Sequence, residues 1–315
     1  MTKSPRIIFM GTPQFAVPSL DILVRHGYEV VAVVTATDKY GGRGGKQLLE
    51  SAVKKYAVAA GIPVLQPRNL KSPEFLAELA AYRADLQIIV AFRMLPEAVW
   101  SMPSMGTFNL HASLLPRYRG AAPINWAIIR GEKETGVTTF FLQHAIDTGN
   151  IIMQEKLPIG PDETAGQVHD RLMLLGAEVV LKTVELINAG KVDPQPQNHE
   201  LATSAPKLKP ENTRIDFTRT AREVHNFVRG LSPYPGAWTT LKDKKWKILR
   251  SLPHTGAHDL TPGTVVTEGK EDFRIAVADG YIEVLELQLP GKRRMNIRDF
   301  LNGHRTLVQS ELVFT

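Results

Sequence analysis

The 315-residue sequence predicts an α/β protein, with a doubly wound, mostly parallel sheet followed by a smaller β-rich domain. Three observations carry that expectation. Up to about residue 190, nearly continuous Val/Ile/Leu runs alternate with amphipathic stretches, as in a parallel sheet covered on both faces. Residues 191–210, KVDPQPQNHELATSAPKLKP, hold four prolines in twenty residues with no apolar periodicity and read as a linker. From 211 to 315, short apolar runs are punctuated by Gly, Asp and Pro.

Taken in order, RIIFMG is a buried strand closed by glycine, and after TPQFAVPSLDILVRHG the run YEVVAVVTAT is a second strand, so a βαβ unit opens the chain. FLAELAAYRA then reads as a helix, DLQIIVAF as a strand, LPEAVWSM as a short helix and GTFNLHA as another strand. GVTTFFLQHAIDTGNIIMQEKLPI holds two strands joined at Ala145 to Asn150, and TAGQVHDRLMLLGAEVVLKTVELINAG is a long amphipathic helix stopped by Gly190. Residues 1–190 are thus expected to form a Rossmann-like domain. Beyond the linker, TAREVHNFVRGL is helical, while GAWTTL, KWKILRSL, GTVVTEG, FRIAVAD and GYIEVLELQL are short strands. Five strands and one helix predict an OB-like barrel over 211–315, a fold that often holds nucleic acid.

Composition narrows the function classes. A hydrophobic content of 43% is enough for two cores. The start lacks an apolar stretch of signal-peptide length and no run reaches the length of a membrane span, so a soluble, non-exported, cytoplasmic protein is expected, with no membrane partner. With no cysteine, disulfides, thiolate zinc sites and a cysteine nucleophile are excluded. The net charge of +6 is unevenly placed: residues 1–200 hold 20 Lys+Arg against 19 Asp+Glu, whereas 201–315 hold 18 against 13. Between Lys207 and Arg250 there are eleven basic residues and four acids. A polyanion such as nucleic acid fits that bias, and an ordinary solvated face explains it equally well.

Several familiar patterns fail on inspection. GGRGGKQ (41–47) is not a phosphate loop, because Tyr40 stands where a glycine and Gln47 where a hydroxyl would be needed. FMGTP lacks the later glycines of a dinucleotide fingerprint. His254 and His258 are four apart, but Pro253 and Gly256 argue against a helix there, so no zinc pair and no metal is expected. No GxSxG marks a hydrolase serine. The glycine-dense loop with Lys39, Arg43 and Lys46 suits either a mobile contact to phosphate or a plain solvated loop.

One stretch survives, NLHASLLPRYRGAAPINWAI (109–128). In a strand, Asn109 and His111 share a face, at the carboxyl end where open α/β sheets bind ligands. Asp147 lies in a turn between the two following strands and is placed to meet the imidazole, although its neighbours also make it a good turn former. Amide, imidazole and carboxylate without a nucleophile suit acyl transfer to an incoming amine. Asn109 and a protonated His111 donate to the oxygen that gains charge, while Asp147 orients the imidazole and helps remove the amine's proton.

Those residues resemble a known family. NLHASLLPRYRG is similar to the NxHxSLLPxxxG signature of formyltransferases that use 10-formyltetrahydrofolate, and IDTGN resembles their DTGD segment. The likeness to members that act on tRNA extends through IIFMGTPQFAVPSL, the basic glycine loop, LSPYPGAW and the barrel, nearly the whole chain. It implies that Asn109, His111 and Asp147 are catalytic, and that Ser113, Leu114, Leu115 and Pro116, with Phe92 and Arg93, hold the folate. It also implies that the acceptor is initiator methionyl-tRNA, met at its acceptor end by Arg43 and Lys46 and along its body by Lys207, Lys209, Lys244, Lys245 and Lys247. Arg93, Gln143 and Asn150 depart from the usual residues at their places. Two alternatives stay open on the residues alone: formyl transfer to a small amine such as an amino sugar or glycinamide ribonucleotide, and a tRNA-binding module with an inert first domain.

Overall fold

A computed structural model describes residues 4–42, 44–267, 272–304 and 312–315. The chain forms two compact units, each drawn from separate stretches of sequence. The first comprises Met1–Gly120, Gly136–Leu157 and His169–Ser204; the second comprises Ala121–Thr135, Pro158–Val168 and Ala205–Thr315. This division departs from the expected split at 190 and 210, because two interior segments of the N-terminal half belong with the C-terminal residues.

The expected alternation is present. Strand β1 (Arg6–Gly11) leads through α1 (Val17–Arg25) to β2 (Glu29–Val34). Two short strands, β3 (Lys39–Gly41) and β4 (Gln47–Leu49), form an antiparallel hairpin, so the glycine-dense segment read as a loop is the tip of a paired arm. Then come α2 (Ala52–Ala59), β5 (Val64–Leu65), α3 (Pro73–Ala81), β6 (Leu86–Val90), α4 (Glu97–Trp100) and β7 (Thr107–His111). Ser51 and Ser72 cap α2 and α3, each hydroxyl accepting a first-turn N–H. The chain continues through β8 (Arg119–Gly120), α5 (Pro123–Ile129), β9 (Glu134–Phe141), β10 (Ile151–Pro158), α6 (Ala165–Asn188) and β11 (Ser204–Ala205).

Seven strands make the main sheet in the order β10-β9-β7-β6-β1-β2-β5. The run from β5 to β7 is parallel, and β9 joins β7 antiparallel. After β1 the chain builds outward on one side to β5 and then crosses to β6 on the other. The carboxyl ends of β1, β6 and β7 therefore border the crevice of a topological switch point. Ile8, Met10, Ala32, Val34 and Ile89 pack against Phe75, Leu79 and Val99 on one face of the sheet.

Residues 191–204 are no free tether. Gln195 and Ile151 exchange both backbone hydrogen bonds at 2.8 Å, and Gln197 is buried. The prolines and polar residues that read as a linker instead let an irregular segment satisfy its backbone against the first unit.

The second unit is built from α7 (Ala221–Leu231), β12 (Ala237–Leu241), β13 (Lys244–Thr255), β14 (Val265–Val266), β15 (Arg274–Val277), β16 (Gly280–Gln288), β17 (Arg294–Asn296) and α8 (Ile297–Gly303). Its antiparallel sheet runs β12-β13-β16-β15-β14, with β17 on β16. Residues 312–315 then link the two edges. Leu312 O accepts the Val265 N–H, Phe314 N–H donates to Gly263 O, and Thr315 exchanges both backbone bonds with Thr240 on β12. Helix α7 opens with a reciprocal cap between Thr220 and Glu223. Its Val224, Val228 and Leu231 join a core with Trp246, Phe273, Phe300 and Phe314.

On the same helix, Arg229 donates to Gly160 O and Glu163 O, at 3.2 and 3.0 Å. His225 places Nδ1 3.2 Å from Ser251 Oγ, and Nε2 3.3 Å from Pro161 O and 3.2 Å from Asp162 Oδ1. Burial, aided by Arg229 and Arg222 and opposed by the Pro161 carbonyl and Asp162, lowers the His225 pKa from 6.5. The unfolded chain thus binds this proton more readily than the folded one. The stability contributed is complete above about pH 6.5 and is lost as pH falls through the folded value. Denaturant titrations at pH 7.5 and 5.5 should show a drop that is smaller in His225→Gln. Phe314→Ala, by emptying a core position, should cost about 3–5 kcal/mol in the same titrations.

Candidate active site

Strand β7 ends at the carboxyl edge of the sheet, where Ile89 pairs with Asn109 and Val90 with Leu110. Phe108 and Leu110 point into the core, so alternation puts Asn109 and His111 together on the other face, as the sequence predicts. The half-buried Asn109 carboxamide has no hydrogen-bond partner among the described residues, leaving a donor free for a ligand.

His111 is buried, at 7% exposure. Its Nε2 lies 2.9 Å from Tyr118 O. A carbonyl only accepts, so Nε2 carries the hydrogen, and proton gain or loss is confined to Nδ1. That nitrogen faces Asp147, with Oδ2 at 3.8 Å. The gap exceeds a hydrogen bond. The other contact of Asp147 Oδ2 is the Gly120 N–H, at 2.8 Å. Asp147 has left-handed backbone, with φ of 55°, and the nearby Gly149 is required by space: a Cβ there would sit 1.6 Å from Phe141 O.

The segment after β7 is fixed by its own polar groups. Ser113 Oγ is fully buried and donates to Arg117 O at 2.7 Å, while Ser113 O accepts from Thr138 Oγ1. Leu115 is buried, its N–H donating to Thr138 Oγ1 and its carbonyl accepting from Gln154 Nε2. Ser113 and Leu115 therefore shape the turn, while Leu114 and Pro116 are half-buried. Phe92 and Arg93 follow β6, the neighbour of β7. The exposed Arg93 guanidinium lies 5.7 Å from the Phe92 ring centre and donates to the Pro67 and Arg68 carbonyls.

Of the basic residues, Arg43 lies outside the described residues, and Lys46 is exposed at the tip of the β3–β4 hairpin. Lys207 and Lys209 are exposed ahead of α7. Lys244, Lys245 and Lys247 share β13, beside β12 and its Trp238. Lys245 Nζ stands 4.1 Å above the Trp238 ring and Arg214 5.6 Å from it, while Lys247 donates to Pro235 O at 2.8 Å. Among the described residues no group of three His, Cys, Asp or Glu is placed to hold a metal ion, and no helix is long and apolar enough to cross a membrane.

Sequence reasoning passed over Tyr118, Arg119 and Gln197. Arg119 lies close enough to Asp147 for its charge to be felt; burial lowers the guanidinium's pKa and Asp147 opposes the shift. Arg119 donates to Gln197 Oε1. No pattern marks these residues: Tyr118 acts through its backbone carbonyl, Arg119 is one of two arginines in a short basic run, and Gln197 sits in a stretch with the composition of a linker.

With this geometry in view, the comparisons with known proteins are decisive. The family described as "Formyl transferase" matches residues 5–184, and "Formyl transferase, C-terminal domain" matches residues 207–305. The chain belongs to the formyltransferase family. A Parabacteroides distasonis protein named methionyl-tRNA formyltransferase is 52% identical over 314 residues, covering 96% of this chain and 97% of that one. A Flavobacterium johnsoniae protein of the same name is 54% identical over 304 residues, covering 95% and 96%. The crystal structure of WlaRD, a sugar 3N-formyl transferase, superposes with a TM-score of 0.67 at 21% identity over 92% of this chain and 100% of that one, a likeness of fold.

In this formyltransferase the turn after Asp147 has no space for a side chain at Gly149. If the Asp147 carboxylate takes part in the reaction, Gly149→Ala should lower the turnover number at least about tenfold, since small displacements of reacting groups cost up to about 100-fold. Steady-state kinetics on folded protein, verified by circular dichroism, checks this.

Proposed function

We propose that this formyltransferase moves the formyl group of 10-formyltetrahydrofolate to the free amino group of initiator methionyl-tRNA. The observation that carries the reading is near-full-length identity of 52–54% to proteins named methionyl-tRNA formyltransferase. The site supports it: an amide donor without a partner among the described residues shares a strand face with an imidazole that faces a carboxylate, with no nucleophile among them, so the acceptor must bring its own.

The folate donor supplies a formyl carbon that an amine can attack. Asn109 Nδ2 donates to the formyl oxygen as it gains charge. His111, held at Nε2 by Tyr118, holds or releases a proton at Nδ1, and Asp147 stabilises the charged imidazole as the amine's proton is drawn off; that proton is returned to the folate nitrogen as its bond to the formyl carbon breaks, and tetrahydrofolate leaves. Phe92, Leu114 and Pro116 offer apolar surface for the pterin and its linker at the same sheet edge, with Ser113 and Leu115 setting the turn and Arg93 beside them.

We assign tRNA binding to Lys46 at the hairpin tip, to Arg43, and to the second unit through Lys207, Lys209, Lys244, Lys245 and Lys247. The antiparallel sheet, whose edges are joined by residues 312–315, is read as a small OB-like barrel, a fold suited to backbone contacts with nucleic acid. Phosphate contacts give affinity, while choice of the initiator needs contacts near the acceptor end.

The reading is tested by a transfer assay with purified protein, formyl donor and charged initiator or elongator tRNA. Formylation of the initiator in clear preference is expected; equal rates, or activity on a small amine alone, would discard it. In that assay Asn109→Ala should lower kcat about 100- to 1,000-fold, the usual loss for one oxyanion donor. Replacing Lys244 and Lys245 by Gln should weaken tRNA binding and reduce the steepness of its salt dependence by about one for each phosphate no longer neutralised. The same direction is expected for Arg43 and Lys46, followed by binding titrations across a salt series.

A further inference from the structure

The catalytic pair is held from outside by a stretch whose composition is that of a linker. Two hydrogen bonds leave the Gln197 carboxamide: Nε2 donates to Asp147 O at 2.9 Å and to Gly149 O at 2.8 Å. Its Oε1 accepts from Arg119. Since guanidinium only donates, that contact fixes which end of the amide faces the turn. Gln197 is 6% exposed, so these bonds are made away from water.

A second hold comes at Thr203. Its Oγ1 accepts the Tyr118 N–H at 2.9 Å, and its backbone O accepts the Arg119 N–H at 2.8 Å. Tyr118 supplies the carbonyl that fixes His111, and Gly120, next to Arg119, supplies the N–H on Asp147. Ahead of both holds, reciprocal Gln195 and Ile151 backbone bonds anchor the start of the segment beside the same turn. One short segment thus touches the supports of both catalytic side chains, one of which stands on left-handed backbone in a turn.

We propose that residues 195–203 form a positioning strap for the His111–Asp147 pair, with Gln197 as the principal positioning residue and Thr203 as the second. The inference rests on the reading of Asp147 and His111 as the reacting groups. The strap sets the distance and angle between imidazole and carboxylate and touches no substrate itself.

A double-mutant cycle on the full-length protein separates positioning from general structural support. Gln197→Met keeps the side-chain length and loses both donors. It is measured alone and with Asp147→Asn, using 10-formyltetrahydrofolate and methionyl-tRNA, with kcat and both KM values determined. If the strap acts through Asp147, Gln197→Met lowers kcat at least about tenfold with both KM values within about twofold, and less than about twofold when Asp147 is already Asn. Equal losses in both backgrounds, a loss confined to KM, or no loss at all would overturn the inference. Full activity of Asp147→Asn by itself would instead remove the catalytic reading beneath it. If Gln197→Met does not yield folded protein, Thr203→Val, which keeps its shape and loses one acceptor, is put through the same cycle with the same outcomes.

Discussion

The Tyr118 carbonyl governs the chemistry of the site more than any side chain does. By occupying Nε2 of a buried imidazole, it leaves a single nitrogen to exchange a proton and turns that nitrogen toward the acid. The chain enforces the arrangement twice, through the Gly120 N–H on the carboxylate and through internal bonds that freeze residues 113–118. Asn109 needs no such support, because its strand lies within the sheet and its amide is left open. On the proposed reading of these three residues, only the incoming amine and the formyl group have to find their places, the condition under which orientation lowers a barrier most.

The basic residues of the second unit are also partly fixed in advance. Lys245 rests over Trp238, Arg214 stands near the same ring, and Lys247 is tied to a carbonyl. A lysine on open surface loses much rotamer freedom when it grips a phosphate. One already held by an aromatic face or a carbonyl loses less, so on the proposed reading a modest excess of charge would serve a larger ligand.

Much of this was legible in the sequence. Strands β1, β2, β6 and β7 announce themselves because both faces are buried, and alternation in β7 places Asn109 and His111 correctly. The β3–β4 hairpin hid because Tyr40, Leu48 and Leu49 are exposed, so no burial pattern marks its two three-residue strands. The strap hid for the opposite reason: Gln197 is buried, yet it is polar, and its partners are carbonyls that no residue code records. The grouping of α5 and the turn at 158–164 with residues far along the chain left no mark in the sequence. Asn125 donates to Gly230 O, and a Cβ at Gly230 would come within 2.6 Å of Ile129.

That interleaving limits how such enzymes can be recombined. A gene fragment stopping near residue 204 would still encode segments 121–135 and 158–168 but not helix α7, leaving Ile129 uncovered and the carbonyls of Gly160 and Glu163 without the guanidinium that serves them. Swapping halves at the apparent linker would therefore set α5 and residues 158–168 of one chain against the helix α7 of another, and crossovers that carry those inner segments along with the carboxyl-terminal half keep the packing of one parent.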